Sequence, residues 1–501
     1  MIPKEMTRQE KHEALESLMF LKKKRCGRIK GRTCADGRPQ QKCIPKEDAA
    51  SPTVSLEGVL LTAVVDAEEG RDIAVVDIPN AFVQTKNVDK VIMKMRGKLA
   101  ELMVLMAPEI YRKAIILEHG KPVLYVRLLG ALYGQLKAAL LWYKKLVSDL
   151  EEKGFVINPY DACVANKMIN GKQMTQTWHV DDIKISHVDP EEVTLMMDWL
   201  KTKYEDLELG EMKASRGKIH EYLGMTLDYT TPGKVKVKMI DYVKQMVIDF
   251  GDELVSIATT PALDHLFTMR EDALPLDVLK SQKFHTFTAK GLFLCKRARP
   301  DIQTAIAFLS TRVSKPDQDD WTKLTRMMRY LKGTEELFLT LSSDCTNVLE
   351  WHVDVSYAVH QDCKSHTGGN FSMGEGTISG KSTKQKLNTK SSTEAELVGS
   401  DDVMPQLVWT NYFLDAQGYD VKETIMYQDN KSAILMKKNG KFSSSKRTKH
   451  INVRYFFIKD RIQNGELKVE YCPTDNMIAD FFTKPLQGSK FLQFRKIILN
   501  L

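Results

Sequence analysis

Trp178-His179-Val180-Asp181-Asp182 ends an apolar strand with two adjacent carboxylates. A third carboxylate, Asp77, ends another apolar strand, Ile73-Ala-Val-Val-Asp77. Three carboxylates carried to one place by two strands can hold a pair of Mg²⁺ ions. Mg²⁺ prefers carboxylate, water and phosphate oxygens, so neither His nor Cys is required. Such a pair activates an attacking hydroxyl and stabilises a departing pyrophosphate in an in-line displacement. Asn170-Gly171 is a two-residue hairpin signal between Cys163–Ile169 and Lys172–Val180. The pattern then predicts a second tight turn on Asp181-Asp182, before a strand over Ile183–Val188. The result is a meander that presents both carboxylates at a sheet edge.

With 501 residues the chain exceeds one core, and its length suggests roughly three domains. A hydrophobic content of 43% with 28% charged residues excludes a disordered chain. No apolar run approaches the roughly 18 residues of a membrane span, and Met1-Ile-Pro-Lys-Glu lacks a signal-peptide pattern. Eight scattered cysteines fit a reducing compartment better than a disulfide framework. The net charge of +8 is unevenly spread: residues 21–43 hold nine Lys/Arg against the single Asp36. A segment of that kind binds phosphate backbones with salt-dependent affinity, or serves as a solubilising arm.

From about residue 17 onward the motifs, in their order, resemble the reverse transcriptase–RNase H region of copia-type LTR retrotransposons. Lys30-Gly-Arg32 with Gly37 and Gln40 resembles that family's finger hairpin, which implies that Arg32, with Lys30 beside it, meets the incoming triphosphate. A planar guanidinium suits bidentate phosphate contact. Asp77-Ile-Pro-Asn-Ala-Phe82 resembles the first catalytic motif, and Phe82 falls where such enzymes set an aromatic ring against the 2′-hydroxyl. Leu132-Tyr133-Gly134 through Trp142-Tyr143 is similar to the substrate-contacting region, so Tyr133 and Gly134 are expected at the nucleotide. The segment Gln135–Leu140 departs from the family there, lacking its Pro and Arg, and His179 replaces the usual Tyr before Val-Asp-Asp. His179 is expected to alter nucleotide packing rather than the chemistry. Tyr222-Leu-Gly-Met225 resembles the primer-contacting hairpin.

Residues 284–334, with Arg297-Ala-Arg-Pro-Asp301-Ile and Arg329-Tyr-Leu-Lys-Gly-Thr334, show helical spacing and resemble the family's segment after the palm, which implies a helical thumb and connection. Beyond residue 346 the pattern returns to α/β. Asp354 ends the strand Leu349-Glu-Trp-His-Val-Asp354, and Ser391 and Glu394 fit a capping box that leaves Glu396 free. Asp429 ends the strand Thr424–Gln428, and Asp480 is expected in a late helix beginning near Thr474. Four carboxylates in this order resemble an RNase H site. The resemblance implies Asp354, Glu396 and Asp429 as core metal ligands and Asp480 as a weaker fourth. The basic loop Lys441–Lys449, with Arg447-Thr-Lys-His450, is a candidate duplex contact.

The expected architecture is α+β and α/β: a polymerase right hand (fingers, palm, thumb) followed by an RNase H-like domain. Fingers and palm should occupy 1–255, thumb and connection 256–345, and the RNase H-like domain 346–501. The resemblance implies two Mg²⁺ per site, with Mn²⁺ as a substitute. The partners it implies are RNA template, DNA primer, RNA–DNA hybrid, deoxynucleoside triphosphates and other polyprotein parts. The implied location is the cytoplasm, in a virus-like particle, or the nucleus. No capsid-like, aspartic-protease or integrase-like zinc pattern appears, so the chain is expected to be the terminal part of a polyprotein or to start at an internal Met. Two rival readings stand beside this one. An inert retrotransposon remnant or host-retained nucleic-acid-binding protein would keep the fold without the chemistry. A zinc module on His360, Cys363 and His366 would need a fourth ligand.

Overall fold

The two strands that end in Asp77 and Asp182 are neighbours in one antiparallel sheet, and the molecule is arranged around that pairing. A computed structural model describes residues 5–23, 29–206, 210–251, 254–439 and 452–501. The side chain of Lys30, and the whole of Cys26 and of the Lys441–Lys449 loop with His450, lie outside the described residues.

The central sheet has six strands, in the order Lys213–Arg216, Asp72–Asp77, Asp182–His187, Lys172–His179, Val164–Ile169 and Val156–Ile157. Ile73–Val76 is a continuous apolar run because both its faces are covered, and all four residues are buried. Helices Leu56–Glu68, Ala138–Glu152 and Pro190–Tyr204 supply the cover. The first is apolar almost all round, and a buried helix requires that. The Asn170-Gly171 hairpin forms as expected, with φ of 51° and 74°. The second turn sits one residue earlier than the sequence predicts. It falls on Val180-Asp181, and Asp182 is already the first residue of the next strand, paired with His179.

A second five-stranded sheet, Ile29–Ala35, Leu15–Lys23, Lys86–Arg96, Lys121–Gly130 and Ile115–Glu118, forms the fingers. Its hairpin touches the palm where the Ala35 N–H donates to Tyr133 O at 2.8 Å. Gly134 has a φ of +92°, and a Cβ there would lie 1.9 Å from Ala35 O, so the close approach requires glycine.

The predicted helical stretch is Val278–Arg297, Gln303–Ser310 and Gln318–Lys332. The flanking strands are not separate modules. Lys234–Lys238 pairs with Leu339–Ser343, joining strands about a hundred residues apart in one five-stranded sheet. The last sheet is mixed, in the order Ser379–Lys384, His366–Ser372, Val348–Ser356, Glu423–Gln428 and Lys468–Tyr471. Its long helix Ser392–Ala416 docks on the palm edge. Gln417 Oε1 there accepts from Asn158 Nδ2 at 3.1 Å and from Asn166 Nδ2, while Gln173 Nε2 donates to Gln417 O at 2.6 Å.

The zinc-like trio does not assemble. His360 Nε2 and His366 Nδ1 bond to each other at 3.1 Å, Ser382 Oγ meets His366 Nε2 at 2.8 Å, and Cys363 is exposed. Phe267 packs on both rings with centroids 4.9 Å away. Burial holds both rings neutral, pushing His360 down to about 4 and His366 down to about 3. In the unfolded chain each ring takes its proton near pH 6.5. The unfolded state therefore binds more protons between those values, and the pair's stability is complete above about pH 6.5 and lost as pH falls toward 3. The melting temperature should drop by several degrees between pH 7 and pH 4.5. His360→Gln/His366→Gln should show a shallower drop in the same calorimetric series.

Candidate active sites

The first site is built on backbone strain. Val180 occupies the first central position of its turn with φ +61°, where glycine is the usual residue and a β-branched one costs on the order of 1–2 kcal/mol. Two hydrogen bonds from outside the hairpin hold it. The Trp142 indole N–H donates to Val180 O at 2.6 Å, and the Ile78 N–H donates to Asp181 O at 3.0 Å. Trp142 is itself fixed, being 1% exposed in the helix Ala138–Glu152 and edge-on to Tyr204 at 5.3 Å. The turn is thereby tied both to the strand end that carries Asp77 and to the helix behind it.

Asp77 and Asp182 are direct cross-strand partners, and Asp181 stands in the turn between them. Burial pushes both Asp181 and Asp182 upward; Asp77 adds to each shift, and the Asp181 charge adds to that of Asp182. Arg32 opposes the shift at Asp181. Its guanidinium lies 4.9 Å from the centre of the Tyr133 ring, which packs on Phe82 at 4.6 Å. Asp77, Asp181, Asp182, Arg32, Tyr133 and Phe82 thus converge, and Gly134 permits the close contact. The segment Gln135–Leu140 is partly accounted for: Gln40 Oε1 accepts from the Leu136 N–H at 3.0 Å, and Lys137 pairs with Asp89 at 2.9 Å.

The second site lies in the mixed sheet. Oxygens of Asp354, Glu396 and Asp429 all lie within 4.8 Å of one another, the group of three or more metal-capable side chains found among the described residues. An all-oxygen donor set fits a hard divalent cation such as Mg²⁺. Asp354 sits inside the strand Val348–Ser356 rather than at its end. Asp429 follows the strand Glu423–Gln428 and accepts from Thr474 Oγ1 at 3.0 Å. Glu396 comes from the first turns of the long helix, capped by Ser391 through the Glu394 N–H; the Glu394 carboxylate accepts from Lys390 N–H, so only half of the expected capping box forms. Gly399 lets that helix lie on the strand, because a Cβ there would stand 2.3 Å from Val355 Cγ2.

Burial drives the Glu396 carboxyl upward and the Asp354 charge adds to it; burial also raises Asp354, against the pull of Lys484. Asp480 opens a four-residue helix, Asp480–Thr483, and the expected helix from Thr474 is only a short 3₁₀ turn over Thr474–Asn476. Met477 and Ala479 are buried there against Cys472, and that packing breaks the helical path. Asp480 does not join the trio: Lys484 Nζ holds one of its oxygens at 2.5 Å and Lys490 Nζ the other at 2.9 Å. Sequence reasoning missed Thr483, whose hydroxyl donates to Asp354 Oδ2 at 2.5 Å, and Gln428, whose Nε2 donates to Glu396 Oε2 at 2.9 Å. Both adjoin recognised motifs, and that adjacency was the available signal.

A model of the family described as reverse transcriptase (RNA-dependent DNA polymerase) matches residues 8–264, just over half of the chain. The chain belongs to the reverse transcriptase family. The chain is 26% identical over 479 residues to the retrovirus-related Pol polyprotein from transposon TNT 1-94 of Nicotiana tabacum, covering 94% of this chain and 34% of that protein. It is equally 26% identical over 479 residues to the retrovirus-related Pol polyprotein from transposon RE2 of Arabidopsis thaliana, covering 94% and 30%. It spans about a third of the length of the curated relatives it matches. The resemblance to copia-type retrotransposon polyproteins is borne out. Among solved structures, the protease–reverse transcriptase of prototype foamy virus aligns over 91% of this chain and 50% of its own, at 16% identity and a TM-score of 0.26. No helix among the described residues is long and apolar enough to cross a membrane.

Trp142→Phe keeps the ring and removes the N–H, leaving the Val180 carbonyl without its partner. The protein should lose about 1–3 kcal/mol in denaturant melts. Any activity that depends on Asp181 should fall further than the stability loss explains.

Proposed function

We propose that the chain is an RNA-directed DNA polymerase of a copia-type retrotransposon, with a second site that cleaves the RNA strand of RNA–DNA hybrids. The observation that carries the first part is the register of Asp77 with Asp182 at one sheet end, beneath Arg32 and Tyr133. Asp77, Asp181 and Asp182 would hold two Mg²⁺, or Mn²⁺ in their place, which when bound activate the primer 3′-hydroxyl and neutralise the departing pyrophosphate. Arg32, kept in place over the Tyr133 ring, meets the triphosphate by paired N–H donors; Lys30 is its proposed companion. Phe82, braced by Tyr133, excludes the 2′-hydroxyl. The fingers hairpin, anchored through Ala35 and Gly134, keeps these groups over the carboxylates.

The second part rests on the convergence of Asp354, Glu396 and Asp429. These residues would hold the same kind of ion pair, with Asp480 close by, and orient a water toward the phosphodiester. Thr483 and Gln428 each occupy one carboxylate oxygen and so fix how the remaining oxygens are presented. The proposed substrates are an RNA template, a DNA primer, their hybrid and deoxynucleoside triphosphates. The proposed setting is a cytoplasmic particle, or the nucleus, with other polyprotein parts. The proposed division is fingers and palm 1–255, thumb and connection 256–345, and RNase H-like domain 346–501.

Mg²⁺-dependent extension of a DNA primer on an RNA template tests the first site. Extension should vanish in Asp181→Asn/Asp182→Asn, while cleavage of a preformed labelled hybrid persists. Glu396→Gln should give the reverse pattern. Absence of both activities in folded protein that binds hybrid would sink the reading in favour of an inert binding protein.

Phe82→Val should raise ribonucleotide incorporation relative to deoxynucleotide by at least about tenfold, the scale of one removed pocket contact. Competitive single-nucleotide extension reads the ratio, and an unchanged ratio would assign Phe82 to packing alone.

A further inference from the structure

Lys437 lies in the helix Lys431–Asn439 that follows Asp429, beside a second lysine, Lys438. Its side chain is wholly buried, at 0% exposure, whereas Lys438 is exposed. An amine withdrawn from water needs acceptors. Lys437 finds two, Ser400 Oγ at 2.5 Å and Gln428 Oε1. Both come from elements that carry members of the carboxylate cluster. Ser400 is one turn beyond Glu396 on the long helix and donates its own hydroxyl to Glu396 O at 3.0 Å. Gln428 directly precedes Asp429.

These contacts fix the sense of the Gln428 amide. With its oxygen on the Lys437 amine, its nitrogen faces Glu396 Oε2 at 2.9 Å. A reversed amide would set donor against donor at Lys437 and acceptor against carboxylate at Glu396. One Glu396 oxygen is therefore taken from within the protein. The grip on Gln428 needs only an N–H, which the amine has in either protonation state.

We propose that Lys437 is a positioning residue for the Asp354–Glu396–Asp429 cluster: it locks the Gln428 amide onto one oxygen of Glu396, so that this carboxylate offers a divalent cation a single oxygen and holds it loosely. The inference rests on the reading of that cluster as a cation site. Fixing one orientation of a ligand is the usual task of groups that hydrogen-bond to it, and here the donor also competes with the cation for a carboxylate oxygen.

Lys437→Met removes the donor and any charge while preserving length and bulk. Lys437→Gln keeps an uncharged N–H donor. Mn²⁺ binding to the full chain, followed by electron paramagnetic resonance at pH 7 in an Asp181→Asn/Asp182→Asn background, isolates this cluster from the palm. Lys437→Met should bind Mn²⁺ on the order of tenfold tighter, because a competing donor and any nearby positive charge are gone. Its hybrid cleavage, measured with Asp181 and Asp182 intact, should nonetheless slow. Lys437→Gln should retain more of the cleavage rate than Lys437→Met. Primer extension by the preparations with Asp181 and Asp182 intact reports that each Lys437 variant is folded; if Lys437→Met is not, Lys437→Leu, which also lacks the donor, carries the test with the same sign. Unchanged or weaker Mn²⁺ binding in folded Lys437→Met, or in Lys437→Leu where that variant replaces it, overturns the role of Lys437. If Glu396→Gln removes no Mn²⁺ from the parent protein, the cluster is not a cation site and the proposal falls with that reading.

Discussion

The structure depends on a turn that its own sequence disfavours. Val180 sits at positive φ, and the hairpin that contains it cannot hold it there unaided. The Trp142 indole and the Ile78 N–H do so from two other elements. The position of Asp181 and Asp182 is therefore a tertiary property, set by a helix and by the strand end bearing Asp77. Strained backbone of this kind persists only where its surroundings over-determine it. Burial here acts twice: it makes the two hydrogen bonds strong, and it raises the cost of ionising the carboxylates they position.

The two acidic clusters are assembled by different construction. In the palm, acids come from neighbouring antiparallel strands and the register does the aligning. In the mixed sheet, Asp354 comes from a strand, Asp429 from just beyond the neighbouring one, and Glu396 from a crossing helix. That helix lies close enough only because Gly399 has no side chain. The second site also carries internal donors on its carboxylates, from Thr483 and Gln428, while Asp480 is neutralised by Lys484 and Lys490.

Much of this was legible in the sequence because it is local. Asn170-Gly171 announced its hairpin through the φ values those residues tolerate. The carboxylates stood out by their places after apolar runs. The turn at Val180-Asp181 was misplaced by one residue because no glycine marks the positive φ, and the hydrogen bonds that impose it come from residues 38 and about 100 positions away. The late helix at Asp480 was overextended for a similar reason, its first part giving way to packing around Cys472. Lys437 was opaque: nothing in a Lys-Lys pair says which member turns inward. The pairing of Lys234–Lys238 with Leu339–Ser343 has no local signature either, since the buried Val235 and Val237 face partners about a hundred residues further along the chain.

That pairing governs how the molecule can be taken apart. A gene fragment ending before the helix Val278–Arg297, or just after Ser343, would leave out the Leu339–Ser343 strand or separate it from its other neighbour, Gly374–Glu375. In the first case Lys234–Lys238 becomes a bare edge, its backbone donors and acceptors unmet and its valines uncovered. Such an edge is a template for pairing with another copy of itself. Dissection of the chain between these two strands would thus trade an internal strand for an aggregation site, and the segments on either side are one folding problem rather than two.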